Sequence, residues 1–134
     1  MDVSELLDSL NDKQRDVVAA PLQNMLVLAG AGSGKTRVLV QRIAWLMKVE
    51  NTAPHSILAV TFTNKAAAEM RARVEQTVDG NTHGMWIGTF HGLAHRLLRM
   101  HFQEAKLPQS FQVLDSDDQQ RLVKRIVRTT GKSE

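Results

Sequence analysis

Apolar and polar positions follow two different rhythms along this chain. Residues 24–29, 56–62 and 85–89 carry short apolar runs, whereas 35–48, 64–78 and 91–103 repeat apolar residues every three or four positions. Short continuous runs read as strands covered on both faces, and the longer period reads as helices packed along one side. The helix over 35–48 places apolar residues at 39, 43, 46 and 47, and that over 64–78 places Ala66, Met70, Val74 and Val78 on one stripe. Asn11 with Gln14 forms a capping box that opens a helix carrying Val17 and Val18, which Pro21 stops. Turns are expected at Asn51-Thr52-Ala53-Pro54 and Asp79-Gly80-Asn81.

Phe111-Gln112-Val113-Leu114 reads as a short fourth strand. Ser116-x-x-Gln119 is a second capping box. The helix it opens sets Leu122, Val123, Ile126 and Val127 on one face and Arg121, Lys124, Arg125 and Arg128 elsewhere. Asp117 and Asp118 at its start and arginines near its end suit the helix dipole. Alternating strands and helices with short turns predict an α/β fold, a parallel sheet with flanking helices. Ligands on such sheets sit at the carboxyl ends of the strands, so 29–36, 61–65 and 88–91 are expected to share one edge.

Composition narrows the class. Cysteine is absent, which excludes a disulfide framework and thiolate metal sites. The acidic opening Asp2-Val3-Ser4-Glu5 is unlike a signal peptide, and no apolar run approaches the roughly 18 residues of a membrane span. A cytoplasmic protein without membrane partners is expected. Acidic and basic residues balance over 1–90, so the net charge of +3 arises in 91–134, beside His91, His95 and His101. A basic patch there suits nucleic acid, and an ordinary solvated surface accounts for so small an excess equally well.

The decisive chemistry is Ala29-Gly30-Ala31-Gly32-Ser33-Gly34-Lys35-Thr36, placed between a predicted strand and a predicted helix. Glycines let backbone N–H groups converge on one anion, a lysine reaches the β- and γ-phosphates, and a hydroxyl ligates Mg²⁺. The helix N-terminus adds partial positive charge. Ala29 stands where the general pattern has glycine, and it is tolerated if its φ is negative. A bland alternative is a glycine-rich turn with an incidental lysine.

Other segments admit two readings each. Gln14 reads either as half of the capping box or as a reader of adenine, whose N6 amine and N7 match a carboxamide. Thr61-Phe62-Thr63-Asn64-Lys65 ends a strand and opens a helix, so it suits phosphates, with Phe62 stacking on a base. The alternative places Phe62 in the core and makes Asn64 a helix cap. Gly88-Thr89-Phe90-His91-Gly92 repeats that arrangement one strand later. His91 and His95 stand four apart, but Gly92 occupies the place where the metalloprotease pattern needs Glu, so a metal site is rejected. Asp115, Asp117 and Asp118 fit a Mg²⁺-binding carboxylate or, more simply, the start of a capped helix.

Taken together, Leu10-Asn11-Asp12-Lys13-Gln14, the loop 29–36, the run Thr61–Met70 and the run Gly88–Arg96 resemble the bacterial UvrD/Rep/PcrA-type superfamily 1 DNA helicases, and their UvrD branch most. The resemblance implies a P-loop NTPase (RecA-like) motor domain, incomplete, with 1–115 as its N-terminal part and 116–134 as the start of an inserted helical subdomain. It implies ATP and Mg²⁺ as cofactors. Residues Gln14, Ala29, Gly30, Ala31, Gly32, Ser33, Gly34, Lys35, Thr36 and Arg37 would bind nucleotide, Lys35 and Thr36 being catalytic and Thr36 the metal ligand. Phe62, Thr63, Asn64, Lys65, Thr89 and His91 would contact single-stranded DNA. The implied activity is ATP-driven 3′ to 5′ movement and duplex separation, with duplex junctions and proteins of mismatch and excision repair as partners. The family's Asp-Glu pair is absent from the sequence, so the resemblance implies a fragment without turnover of its own. A small phosphotransferase and a stand-alone nucleotide-binding module are the alternatives.

Overall fold

A computed structural model describes residues 4–78 and 82–131. The turn expected at Asp79-Gly80-Asn81 lies outside the described residues. Among the described residues five α-helices and two strands follow one another, with 3₁₀ turns at Ser4–Leu6 and Pro54–Ser56: α1 (Asp12–Ala19), α2 (Lys35–Lys48), β1 (Leu58–Thr61), α3 (Asn64–Val78), β2 (Trp86–Thr89), α4 (Phe90–Met100) and α5 (Ser116–Thr130). The chain divides into two compact units, one up to Leu93 and one from Ala94.

In the first unit β1 and β2 pair in parallel, with Leu58 opposite Trp86 and Thr61 opposite Thr89. The crossover between them is α3, which packs on both strands and on α2. The core joins Val40 and Ile43 of α2, Met70 and Val74 of α3, Ile57 and Ala59 beside and in β1, and Met85 and Ile87 beside and in β2. Arg71 strengthens the crossover by donating from Nη2 to the Ile87 carbonyl at 2.6 Å. Helix α3 buries Ala67, Met70 and Val74, with Ala66 and Val78 only half-buried at the margin. Helix α2 buries Val40, Ile43 and Ala44, while Leu39 remains 39% exposed. Its buried face is turned slightly from the one expected, and Leu39 lines a cleft instead.

The sheet is smaller than the alternation predicts. Residues 24–29 enter no ladder, and Leu26 and Leu28 are 84% and 87% exposed. A strand exists only through a hydrogen-bonded neighbour. The described ladder joins β1 only to β2, so 24–29 has apolar side chains without a partner backbone. Nor is β1 covered on both faces: Ala59 is buried and Leu58 is 63% exposed.

The second unit contains the end of α4, the segment 101–115 and α5. Residues 111–114 form no strand. Arg99 instead donates to the carbonyls of Gln109 at 2.8 Å and Phe111 at 2.5 Å, and its guanidinium lies 4.1 Å from the centre of the Phe111 ring. Those carbonyls serve a side chain rather than a ladder. The cap of α5 is Asp115, one residue before the expected Ser116: its carboxylate accepts from the Asp118 N–H at 2.7 Å. Both residue types cap well, and the aspartate adds charge at the positive end of the dipole.

Candidate functional site

The capping box at α1 forms as predicted, and it does more than cap. Gln14 Oε1 accepts from the Asn11 N–H at 3.0 Å, and Asn11 Oδ1 accepts from the Gln14 N–H at 2.9 Å. The other end of the same carboxamide crosses to the glycine-rich loop, where Gln14 Nε2 donates to the Ser33 carbonyl at 3.0 Å. A carboxamide has two N–H groups and two lone pairs, so one of each remains after these bonds. That remainder matches the donor–acceptor pair on the adenine edge. The two sequence readings of Gln14 are therefore compatible within one side chain.

The loop itself is tightly drawn. The Gly30 carbonyl accepts from Ser33 N–H at 3.3 Å and from Ser33 Oγ at 2.6 Å. Lys35 Nζ donates to the carbonyls of Ala29 and Gly30, both at 3.2 Å. Gly32 and Gly34 have φ of 73° and 78°, the left-handed region that side chains other than glycine rarely adopt. A Cβ placed on Gly30 or Gly32 would meet nothing within 4 Å, so the space beside both is open. Gly34 is the N-cap of α2 and brings no side-chain cap to the helix. The first-turn N–H groups at Lys35, Thr36 and Arg37 thus lack the usual capping oxygen, and no acidic residue stands in that turn.

A cleft of about 760 Å³ opens beside this loop, lined among others by Asn11, Gln14, Leu39 and Ser33. Lys13, Lys35 and Arg42 also line it, with no Asp or Glu among the lining residues. Apolar walls beside the Lys35 ammonium suit a base and its phosphates, while the Arg42 guanidinium is taken up by backbone carbonyls. Free N–H groups, an ammonium and the exposed Thr36 hydroxyl fit a magnesium-bound triphosphate, since Mg²⁺ takes few protein ligands and keeps water and phosphate oxygens.

The second group of residues lies at the carboxyl ends of β1 and β2. Thr63 Oγ1 accepts from the Ala66 N–H at 3.1 Å, so Thr63 caps α3 and Asn64 is its first helical residue. Thr89 Oγ1 accepts from the Gly92 N–H at 3.1 Å and caps α4 in the same way. The expected repetition of the two junctions is thus built from two capping threonines, and the reading of Asn64 as cap is replaced. The reading of Phe62 as a core residue is likewise overturned, since its side chain is 89% exposed. Its ring lies 5.7 Å from that of Phe90, tilted by 45°. Asn64, Lys65 and His91 are exposed on the first turns of their helices. Strand pairing brings 61–65 and 88–91 to one edge. The loop 29–36 is not carried there by a paired strand, and α2 ties it to the unit instead.

Sequence reasoning missed Arg42. It donates from Nη1 to the carbonyls of Val18, at 2.8 Å, and Ala20, and from Nη2 to that of Pro21 at 3.1 Å. The signal was present in the spacing, because Lys35, Leu39 and Arg42 fall on one face of a helix.

Residues 10–134 match the UvrD/REP helicase N-terminal domain. The chain belongs to this family. Along its whole length it is 69% identical to DNA helicase II of Salmonella typhimurium and to DNA helicase II of Escherichia coli K12, of which it covers 19% in each case. It is 44% identical over 125 residues, 93% of the chain, to the ATP-dependent DNA helicase PcrA of Bacillus subtilis, of which it covers 17%. The chain therefore spans about a fifth of the length of the curated relatives it matches. Among the described residues of this UvrD/REP family member, no helix is long and apolar enough to cross a membrane.

Proposed function

We propose that this chain is the nucleotide-binding part of an ATP-dependent DNA helicase that moves 3′ to 5′ along one strand, and that it forms an incomplete P-loop, RecA-like motor domain. The observation that carries the reading is the loop 29–36: left-handed glycines and an α2 start without a side-chain cap adjoin the Lys35 ammonium, and Ala29, Gly30, Ser33 and Lys35 line a cleft that has no Asp or Glu among its lining residues.

In this reading the N–H groups of 30–36 and Lys35 hold the phosphates, and Thr36 ligates Mg²⁺. Mg²⁺ held there would neutralise phosphate charge. Lys35 gives up its two loop carbonyls for the phosphates, an exchange that favours the anion because donor and acceptor then both carry charge. Gln14 orients the base with its unused N–H and lone pair, and Arg37 lies beside the phosphates on the first turn of α2. Phe62, Thr63, Asn64, Lys65, Thr89 and His91 follow single-stranded DNA along the strand-end edge, the threonines keeping their hydroxyl protons for phosphate oxygens. Residues 1–115 belong to the motor domain and 116–134 begin an inserted helical part. The whole protein acts in the cytoplasm on single strands and duplex junctions, together with mismatch and excision repair proteins.

Calorimetry with ATP and Mg²⁺ tests the core of this reading. Lys35→Ala removes the phosphate cation, and a bond to a charged group contributes about 1.5–3 kcal/mol, so affinity should fall by roughly tenfold or more. Equal affinity of both proteins would show that the loop does not hold the phosphates.

A further inference from the structure

Helix α1 is fastened at both ends. At its start Gln14 reaches the Ser33 carbonyl of the phosphate loop. At its end the Arg42 guanidinium, from α2, takes the carbonyls of Val18, Ala20 and Pro21. Helix α1 has no basic residue in its last turn, so Arg42 supplies from a neighbouring helix the cation that the negative end of the dipole favours. Val18, whose carbonyl it holds, is fully buried. The same α2 carries Lys35 and Thr36 at its own N-terminus. The eight residues of α1 thus form a short rod whose two ends are both referred to α2 and its loop.

We infer that Arg42 is a positioning residue for base choice: it fixes the far end of α1 and thereby sets where the Gln14 carboxamide lies over the phosphate loop. The inference rests on the reading of this cleft as a nucleoside triphosphate site. Without Arg42 the helix keeps its packing through Val18 and the Arg15 bonds to the carbonyls of Leu7 and Asp8, but its C-terminal end loses its anchor and the carboxamide loses its sharply defined direction. A fork with several N–H groups can serve three carbonyls at once, whereas an ammonium is a single point of charge. Arg42 lines the cleft about two helical turns beyond Lys35, and its guanidinium is spent on the carbonyls of Val18, Ala20 and Pro21, so its influence on a base passes through α1.

The test separates phosphate binding from base reading. Inorganic tripolyphosphate probes the loop alone, and the ratio of ATP to GTP affinity probes Gln14. Arg42→Lys should leave tripolyphosphate affinity unchanged and narrow the ATP-to-GTP ratio by roughly two- to tenfold, the worth of one or two hydrogen bonds in the nucleotide complex. Arg42→Gln, uncharged and shorter, should narrow it as well. In the Gln14→Ala background neither change should alter the ratio further, because both act through the same carboxamide. A wild-type ratio in both Arg42 variants, or effects that multiply with Gln14→Ala, would overturn the role of Arg42. Tripolyphosphate and ATP weakening together would assign Arg42 to general stability and also overturn it. Failure of the unmodified chain to bind tripolyphosphate would instead remove the phosphate-site reading beneath it.

Discussion

The rings of Phe62 and Phe90 meet 5.7 Å apart, yet both are exposed, at 89% and 58%. Each is the residue next to a capping threonine at the end of a parallel strand, and the pairing of Thr61 with Thr89 brings the two junctions together. An aromatic pair in water buries little and so contributes little to folding, which leaves its faces available to a base.

Phe62→Ala should therefore separate binding from stability. Loss of one base-stacking ring costs about 1–3 kcal/mol of single-stranded DNA affinity. The melting temperature should stay within error of the unmodified chain. Met70→Ala, in the core between α2 and α3, should instead cost about 2–5 kcal/mol of stability. A Phe62→Ala protein that melts early but keeps its DNA affinity would remove the stacking role.

Gln14 bonds in two directions, and two substitutions divide them. Gln14→Glu keeps an acceptor for the Asn11 N–H but loses the N–H donor to Ser33 and the one proposed for the base. It should keep the helix cap, melt somewhat earlier through loss of the Ser33 bond, and lose much of its preference for ATP over GTP. Gln14→Ala should lose the preference and also about 0.5–1.5 kcal/mol of stability with the capping hydrogen bond. An undiminished preference in Gln14→Glu would leave the residue a cap and nothing more.

Salt dependence should reveal which face meets the strand. Two or three phosphate contacts give a slope of log affinity against log salt of about −1.4 to −2.1. Asn64→Ala with His91→Ala should weaken binding, while charge reversal at Arg121 and Arg125 on α5 should change it much less. The opposite ranking, measured by fluorescence anisotropy, would move the DNA site to α5.

Asp115 tests the acids that resemble a metal site. Because its carboxylate accepts the Asp118 N–H, Asp115→Asn should preserve α5 and Asp115→Ala should cost about 0.5–2 kcal/mol. Amide exchange at Asp118 and the following turn reads this directly. Faster exchange in the asparagine variant, equal to that of alanine, would mean the charge rather than the cap holds the helix start.

Local signals in the sequence were enough where the interaction itself is local. Helices α2 and α3 begin and end where periodicity and turn residues place them, and the Asn11–Gln14 box forms within four residues. What needed a distant partner was not legible. Residues 24–29 are as apolar as β1, but apolarity does not name the backbone that would pair with them. Residues 111–114 have strand-like composition, but Arg99 claims the Phe111 carbonyl from a helix twelve positions away. Cap positions slipped by one, from Asn64 to Thr63 and from Ser116 to Asp115, because neighbouring residues of similar propensity compete for the same N–H. The glycine-rich segment 29–36 was legible as a loop that opens α2. The fastening of α1 by Arg42 was not: spacing puts Arg42 on the face of Lys35 and Leu39, but the three backbone carbonyls it takes leave no trace in side-chain chemistry.

The uncovered face of β1 and the bare run at 25–28 have a thermodynamic consequence. Any molecule that prefers the folded form stabilises it by an amount that grows with its own concentration. With Leu26, Leu28 and Leu58 facing solvent, a partner that covers these side chains only in the folded form would act in this way. The melting temperature of this protein is then a property of the solution as much as of the sequence. It should be quoted with a protein concentration, as an affinity is quoted with its salt.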